Sequence, residues 1–351
     1  MQMNSKKYVA LQLSIVAVIL LVFALLNYSI DPLFHFRRPC FGMSPVVKKQ
    51  RYQNAGMARH FDFDSAVVGN SLAENIRKKD LQAVLGKKTI RLTAPGSYPL
   101  DWKLTLDILK HRRIRPKKVM MNLDPFVFIA SPTRYRHTWP LYLYDRNPFN
   151  DVYYLLNFDI TWDFTMNTLE KNLKRKIPSS EKIYVWDDIC TYGRKSILAE
   201  IKRQPLVSKK VDADVYIANA VKNARLLSDF FVDMPETTFI FFCSPFSILY
   251  WDNCMRDGTF DACRKSYYAV FEFLLKYPNV RIYFWSDDKL LQSICNLDYY
   301  RDEAHFDTRL AHMLCERIGR DEGRMTPANY QEKLGKYFSF LEKYDYDTIW
   351  K

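Results

Sequence analysis

The longest run of apolar positions lies near the N-terminus. Residues Val9 to Tyr28 read VALQLSIVAVILLVFALLNY, and only Gln12, Ser14 and Asn27 interrupt the apolar run. A helix rises about 1.5 Å per residue, so roughly 20 residues span about 30 Å, the thickness of the hydrocarbon core of a bilayer. The pattern therefore predicts one membrane-spanning helix, and no later stretch of the sequence is long and apolar enough to be a second.

The residues that flank this helix indicate its orientation. Lys6 and Lys7 precede it, which favours an N-terminus in the cytoplasm. A cleavable signal peptide is the alternative, but its apolar region has roughly 7–15 residues and ends in small residues, whereas this run is longer and ends in NYSIDP. We therefore predict a cytoplasmic stub and an uncleaved signal anchor in residues 1–30. Residues 31–351 are then an extracytoplasmic domain held on the cell membrane by a single pass.

Short apolar runs rich in β-branched and aromatic residues recur along the rest of the chain. Near-continuous apolar strands are typical of a parallel sheet that helices cover on both faces. The segments NIRKKDLQAVLG and LDWKLTLDILKHRR, which separate the first three runs, have helical periodicity. Strand, helix and strand in series predict an α/β fold with right-handed crossovers. The predicted strands are Ser65–Gly69, Thr89–Thr93, Lys118–Asp124, Thr238–Ser244 and Val280–Trp285.

The interval from about Ile129 to Pro235 interrupts this alternation and is rich in Trp, Tyr and charged residues. We predict a large insertion at about residues 130–235, partly helical, that lies over the strand ends as a cap. A separate domain is the alternative, although no flexible linker brackets the interval. The segment Thr308–Arg320 predicts a closing helix, and the tail beyond it is expected to be helical.

Composition and charge narrow the class of protein. The 351 residues are 48% apolar, which allows a large buried core and excludes disordered and collagenous classes. With 52 basic and 39 acidic residues the formal charge is +13, which suits an anionic partner. Because the domain is expected to face outward, an anionic envelope polymer or a lipid surface fits better than nucleic acid.

Candidate chemical groups follow the predicted strands. In an open α/β sheet, function gathers outside the carboxyl ends of the strands, so residues that follow different strands are expected to meet there. These residues are Ser71 after the first strand, Gly96 after the second, Asn122 and Asp124 at the end of the third, and Asp302 with His305 beyond the fifth.

The residue types fit nucleophilic catalysis. A serine needs a base to attack a carbonyl, and a histidine base needs a carboxylate to fix its tautomer. We predict Ser71 as nucleophile, His305 as base and Asp302 as the orienting group. The backbone N–H groups of Ser71 and Gly96, with a side chain at Asn122 or Asp124, are the candidate oxyanion hole. Each residue alone has a plainer interpretation, since a serine after a strand is usually only a helix N-cap.

In this order, Gly69-Asn70-Ser71, Gly96, Asn122 or Asp124, and Asp302-x-x-His305 resemble the blocks of the SGNH/GDSL hydrolase superfamily. The chain is most similar to its membrane-anchored branch, which includes the alginate O-acetylation proteins and the D-alanyl transfer protein of teichoic acid synthesis. The resemblance covers about residues 60–310 without the insertion, and Asn122-Leu123-Asp124-Pro125 replaces the usual Gly-x-Asn-Asp of the third block. It implies a flavodoxin-like (SGNH) parallel sheet flanked by helices, and an esterase or acyltransferase without a cofactor. It also implies a membrane O-acyltransferase as a partner.

Competing motifs are weaker. Asp302-Glu303-Ala304-His305 spells the DEAH box of helicases, but no G-x-x-x-x-G-K-[ST] loop accompanies it. Residues 69–73 approach the G-x-S-x-G turn of α/β-hydrolases, in which the serine follows a central strand rather than the first. We expect no metal site, because the remaining histidines are scattered without helical i,i+4 pairing; they are His35, His60, His111, His137 and His312.

Three functions remain compatible with the sequence. The first is a serine O-acyltransferase or esterase that modifies a cell-surface or exported polysaccharide through an acyl-enzyme, which a sugar hydroxyl or water resolves. Its substrate is then the surface polysaccharide or an acyl carrier. The second is a non-catalytic glycan-binding or assembly protein on the same fold, and the third is a lipid esterase.

Cys254 and Cys263 flank a short polar loop, and a disulfide between them is one prediction for an extracytoplasmic domain. Seven reduced cysteines are the alternative.

Overall fold

The computed structural model describes residues 5–133, 138–179, 184–207 and 211–351. The strands are β1 (Ser65–Val67), β2 (Thr89–Arg91), β3 (Lys118–Asn122), β4 (Thr238–Phe242), β5 (Val280–Tyr283) and β6 (Arg324–Met325). The helices are α1 (Ser5–Ile30), α2 (Gln50–His60), α3 (Lys78–Leu85), α4 (Pro99–Lys110), α5 (Pro125–Phe128), α6 (Val152–Leu155), α7 (Asn167–Leu173), α8 (Arg194–Glu200), α9 (Ala213–Asp233), α10 (Ile248–Asp257), α11 (Phe260–Leu274), α12 (Asp288–Cys295), α13 (Thr308–Gly319) and α14 (Tyr330–Lys343). A π-helix over Ile160–Met166 runs into α7.

The chain forms two compact units. The anchor unit consists of Met1–Phe61 and Trp139–Ser179, and the sheet unit consists of Asp62–Thr138 and Ser180–Lys351. The predicted insertion of residues 130–235 is therefore not one body. Residues Trp139–Ser179 of this interval belong to the anchor unit. The last part of the interval contains α9, which packs against α4 and α11 in the sheet unit.

The sheet unit is built on a six-stranded sheet in the order β2-β1-β3-β4-β5-β6. Strands β1 to β5 pair in parallel, and β6 pairs antiparallel with β5 through Ile282 and Met325. The five predicted strands are confirmed, as are the helices between the first three and the closing helix α13. Strand β6 was not predicted, because two residues are too short to show a period.

Each predicted strand ends two residues earlier in the structure than in the sequence pattern. The apolar run continues past the strand because single backbone bonds prolong the parallel pairing, such as Ala94 N–H to Gly69 O and Leu123 N–H to Phe242 O. The chain then bends into the loops that carry the candidate site residues.

The core explains the near-continuous apolar strands. Val119, Met120 and Met121 of β3 are fully buried, as are Phe239 and Phe241 of β4. Helices flank the sheet in two groups, one in which α3 packs against α13 and one in which α9 packs against α4 and α11. Side chains on both faces of the central strands are therefore removed from water, which stabilises the fold by roughly 1.5–3 kcal/mol for each large apolar side chain.

In the anchor unit, α1 is exposed along its length, and Asn27 is its one buried residue. It is 26 residues long with a mean hydropathy of 2.9 over its most apolar window, enough to cross a membrane by length and composition. This confirms the predicted helix, and no second helix of this kind occurs in the described ranges. Its orientation stays a prediction.

All seven cysteines are free thiols, so the structure has the second of the two alternatives rather than a Cys254–Cys263 disulfide. Cys254 on α10 and Cys263 on α11 are buried free thiols, joined by a hydrogen bond between their side chains. The turn between α10 and α11 therefore brings the two side chains into contact, and both of them remain thiols.

Candidate active site

The site lies where the strand order reverses. The chain passes from β1 to β2 on one side and then returns across β1 to β3 on the other, so the loops after β1 and β3 diverge. Crevices of this kind, outside the carboxyl ends of the strands, are where open α/β sheets bind ligands. The loop after β1 carries Ser71, and a turn formed by Tyr300–Phe306 carries Asp302 and His305.

The three predicted catalytic side chains form one chain of hydrogen bonds. Oγ of Ser71 lies 2.8 Å from Nε2 of His305. On the other side of the ring, Nδ1 of His305 lies 2.8 Å from Oδ2 and 3.0 Å from Oδ1 of Asp302. A serine, a histidine and a carboxylate in this order have the geometry that nucleophilic serine catalysis requires.

The 300–306 turn holds Asp302 rigidly. The backbone N–H groups of Ala304 and His305 donate to Asp302 Oδ1 at 2.9 and 2.8 Å, and Arg301 N–H donates to His305 O. Desolvation raises the pKa of Asp302, but the hydrogen bonds and charge of His305 and the two backbone donors outweigh it, so the pKa lies below its ordinary value. Asp302 is therefore ionised at neutral pH, as an orienting carboxylate must be.

Ser71 is not the helix cap that a serine after a strand usually is. The cap of the short 3₁₀ turn Ser71–Ala73 is Asn70, whose side-chain Oδ1 accepts Leu72 N–H at 2.9 Å. Because Asn70 does this work, the hydroxyl of Ser71 is available to His305. The side chain of Ser71 is half-buried at the edge of the sheet.

Two backbone N–H groups lie on the loops around Ser71: its own, and that of Gly96, whose loop is bonded to the loop of Ser71 through Ser97 Oγ, which donates to Gly69 O at 3.0 Å. The N–H groups of Ser71 and Gly96 have no hydrogen-bond partner in the described part of the chain. Gly96 has φ +64°, a left-handed conformation that favours glycine. These are the two backbone donors that the sequence predicts for an oxyanion hole.

Asn122 and Asp124 do not belong to that oxyanion hole, which corrects the sequence-based assignment. Both are fully or almost fully buried. Asn122 Nδ2 donates both of its protons to other side chains, one to Asn70 Oδ1 at 2.9 Å and one to Asp124 Oδ2. Asn122 Oδ1 accepts the backbone N–H of Asn70 at 3.1 Å, and Asn70 Nδ2 donates to Asp124 Oδ2 at 3.1 Å. The two residues therefore support the loop of Ser71 from behind.

This buried network explains two further features. A side chain at Gly69 would collide with Oδ1 of Asn122, so only glycine fits there. Burial raises the pKa of Asp124 to about 6, against the opposing effect of its hydrogen bonds to Asn70 and Asn122.

An aromatic wall adjoins His305. The ring of Trp186 meets the imidazole edge-on with centroids 5.4 Å apart, and Tyr192 lies parallel to the indole. The guanidinium of Arg301 lies 5.5 Å from the centroid of the indole. Asp187 holds this segment by accepting hydrogen bonds from Asn75 at 2.9 Å and from Tyr192 Oη at 3.0 Å.

Trp186 and Asp187 come from the predicted insertion, so at least this part of it lies beside the strand ends, as expected of a cap. Sequence reasoning missed both residues. The interval is rich in Trp and Tyr, but no spacing in the sequence links Trp186 to His305.

A cavity of about 510 Å³ opens beside the same turn, reached by the side chain of Glu303. Glu303 accepts a hydrogen bond from Asn253 at 2.6 Å, and desolvation raises the pKa of its carboxyl. The cavity has the size of a small-ligand site. Its walls combine aromatic and polar side chains, among them Phe126, Tyr216, Tyr250, Asn253 and Asp257.

Within the described residues, no group of three or more His, Cys, Asp or Glu side chains has the arrangement of a metal site. His137 lies outside the described residues. Comparison with known proteins found no matching family model and no matching curated protein.

Proposed function

We propose that the chain is a membrane-anchored serine acyltransferase or esterase that modifies a cell-surface or exported polysaccharide through an acyl-enzyme. The observation that carries the proposal is the continuous hydrogen-bond chain from Ser71 through His305 to Asp302. The strand order 2-1-3-4-5 is that of flavodoxin-like sheets, which supports the proposed similarity to SGNH hydrolases.

The first half-reaction forms the acyl-enzyme. Nε2 of His305 takes the proton of Ser71 as Oγ attacks the carbonyl carbon of the acyl donor. The negative charge that develops on the carbonyl oxygen is stabilised by the free N–H groups of Ser71 and Gly96. His305 then gives its proton to the leaving group as the carbonyl reforms, which leaves the acyl group as an ester on Ser71.

The second half-reaction resolves this ester. His305 takes a proton from an incoming hydroxyl, whose oxygen attacks the acyl carbon, and returns that proton to Oγ of Ser71. A sugar hydroxyl as the incoming group gives transfer, and water gives hydrolysis. The aromatic wall of Trp186 and Tyr192 favours transfer, because it covers one side of His305 against bulk water. The cavity beside Glu303 provides room for a bound sugar or acyl donor.

Covalent labelling tests the nucleophile directly. A fluorophosphonate probe forms a bond from Ser Oγ to phosphorus and releases fluoride only where a serine is activated by a base. We expect one label per chain on Ser71, lost in Ser71→Ala and in His305→Ala. Ser293→Ala is the matched control, because the hydroxyl of Ser293 donates to Lys289 O within α12 rather than to a base that could activate it. A full-length protein that stays unlabelled while folded would favour a glycan-binding protein on the same fold.

A further inference from the structure

The anchor unit exposes a group of large apolar side chains outside α1. Phe149, Tyr153, Phe158 and Trp162 are 62% to 89% exposed, and Met166 is 42% exposed. Single exposed apolar residues are ordinary on soluble proteins, but Phe158 and Trp162 stack on one another and so form a contiguous apolar surface, which marks an interaction site. We call these five residues the aromatic face.

A buried polar network imposes this exposure. Thr161 and Thr165 lie four residues apart on the π-helix and turn inward, where Thr161 Oγ1 accepts from Asn27 Nδ2 at 2.8 Å and Thr165 Oγ1 donates to Asn27 Oδ1 at 2.7 Å. Phe158 and Trp162 have the same spacing on the opposite side and therefore point outward. The helix is thus amphipathic in the reverse sense, with a polar contact inside and apolar rings outside.

The aromatic face is continuous with α1. The ring of Phe158 stacks parallel to Trp162 with centroids 6.3 Å apart, and it meets Phe23 of α1 edge-on, also at 6.3 Å. The end of α1 is fixed here as well, because Tyr154 Oη donates to Asp31 at 2.8 Å directly after the last helical residue. The apolar surface of the predicted membrane span therefore runs without a break onto Phe158 and Trp162.

We propose that the aromatic face is a second membrane contact, which lies at headgroup depth in the bilayer that α1 crosses. Tyr and Trp, with apolar rings and polar edges, are the side chains that concentrate at this depth. Asp159 and Asp163 directly follow Phe158 and Trp162 in the sequence, and Lys49 Nζ lies 3.5 Å from Asp163 Oδ2. These charges oppose deeper insertion, so the segment lies in the interface rather than in the hydrocarbon core.

This contact gives the anchor unit a fixed depth and rotation on the membrane. A single helix leaves a domain free to turn about its tether, whereas a helix and an adjoining interfacial face define a plane. The inference does not depend on the proposed chemistry, because none of its residues belongs to the candidate active site.

Fluorescence quenching in vesicles tests the proposal. The full chain is reconstituted at a low protein-to-lipid ratio in phosphatidylcholine and phosphatidylglycerol vesicles whose acyl chains carry bromine at a shallow or a deep position. The emission of wild type minus that of Trp162→Phe isolates Trp162 while an aromatic ring is kept at the site. We expect this emission to be quenched more by shallow than by deep bromine and to be protected from iodide in the water.

Trp139→Phe is the matched control, since Trp139 belongs to the same unit but is 8% exposed. Its difference spectrum should respond to neither quencher. Emission from Trp162 that iodide quenches and bromine does not would overturn the proposal, because the face would then be in water and open to a protein partner or a second copy. Equal labelling of Ser71 in wild type and Trp162→Phe separates this result from the test of the proposed function.

Discussion

Oγ of Ser71 and Nε2 of His305 lie 2.8 Å apart, although 234 positions separate the two residues in the sequence. The parallel sheet makes this contact, because the loop after β1 and the 300–306 turn both lie at the carboxyl edge. In the proposed reaction His305 acts on Ser71 only while its ring is held by Asp302, and the predicted effects of substitution follow from that dependence.

Replacing Asp302 with asparagine should disable the base while keeping the fold. The amide oxygen stays with the backbone N–H groups of Ala304 and His305 that hold Asp302 Oδ1, so the amide N–H₂ faces Nδ1 of His305 and donates to it. The imidazole then loses the tautomer in which Nε2 is free to take a proton. We expect kcat on a chromogenic acyl ester to fall by roughly 10³–10⁴-fold. Asp288→Asn is the charge-matched control, because Asp288 is exposed on α12. Equal activity of the two variants would contradict the assigned role of Asp302.

The buried carboxyl of Asp124 should make stability depend on pH. Its pKa is about 6 in the folded chain and about 3.9 in an unfolded one, so between these values the folded state binds more protons. The free energy of unfolding therefore falls as pH rises through this window, by up to about 3 kcal/mol, and then levels off. Asparagine can accept the same hydrogen bonds without ionising.

Denaturation of wild type and Asp124→Asn in detergent, at several pH values between about 4 and 7, measures this effect, since other titrating groups cancel in the difference. The stability of Asp124→Asn relative to wild type should increase with pH. A difference that stays constant across the window would show that Asp124 does not titrate there.

Gly69 should not tolerate a side chain. A methyl group there collides with Oδ1 of Asn122, which cannot move without breaking its bonds to Asn70 and Asp124. We expect Gly69→Ala to lower the free energy of unfolding by roughly 1–3 kcal/mol, as overpacking in a core does. Gly319→Ala is the control, because a methyl group at the end of α13 meets open space. Chemical denaturation compares the two, and equal stability would remove the packing argument.

Trp186 should position His305 and exclude water. We expect Trp186→Ala to lower kcat/KM for acyl transfer by about 10- to 100-fold, since small displacements of a catalytic group have effects of this size. The ratio of hydrolysis to transfer should rise, and Trp186→Phe should restore most of both properties. Transfer and hydrolysis are measured together on one acyl donor with and without a glycan acceptor. An unchanged ratio in Trp186→Ala would leave the wall without a role in the chemistry.

The parallel sheet and the meeting of the site residues at its edge could be predicted from the sequence. Buried parallel strands are recognisable as apolar runs, and their carboxyl ends lie at one edge of the sheet. The convergence of the strand ends therefore predicts that Ser71, Asp302 and His305 lie together. It could not separate an amide that faces the crevice from one that faces the core, and for that reason Asn122 was assigned to the oxyanion hole. It also could not link Trp186 to His305, since that contact depends on a long irregular segment held by Asp187 rather than on any periodic pattern.

The O-acyl content of the surface glycan tests the central claim most directly. Cells that carry wild type, Ser71→Ala or Ser293→Ala at equal protein level are compared. Loss of a nucleophile lowers such reactions by orders of magnitude, so acylation should disappear in Ser71→Ala and remain at the wild-type level in Ser293→Ala. Wild-type acylation in Ser71→Ala would contradict the proposal that Ser71 carries the acyl group.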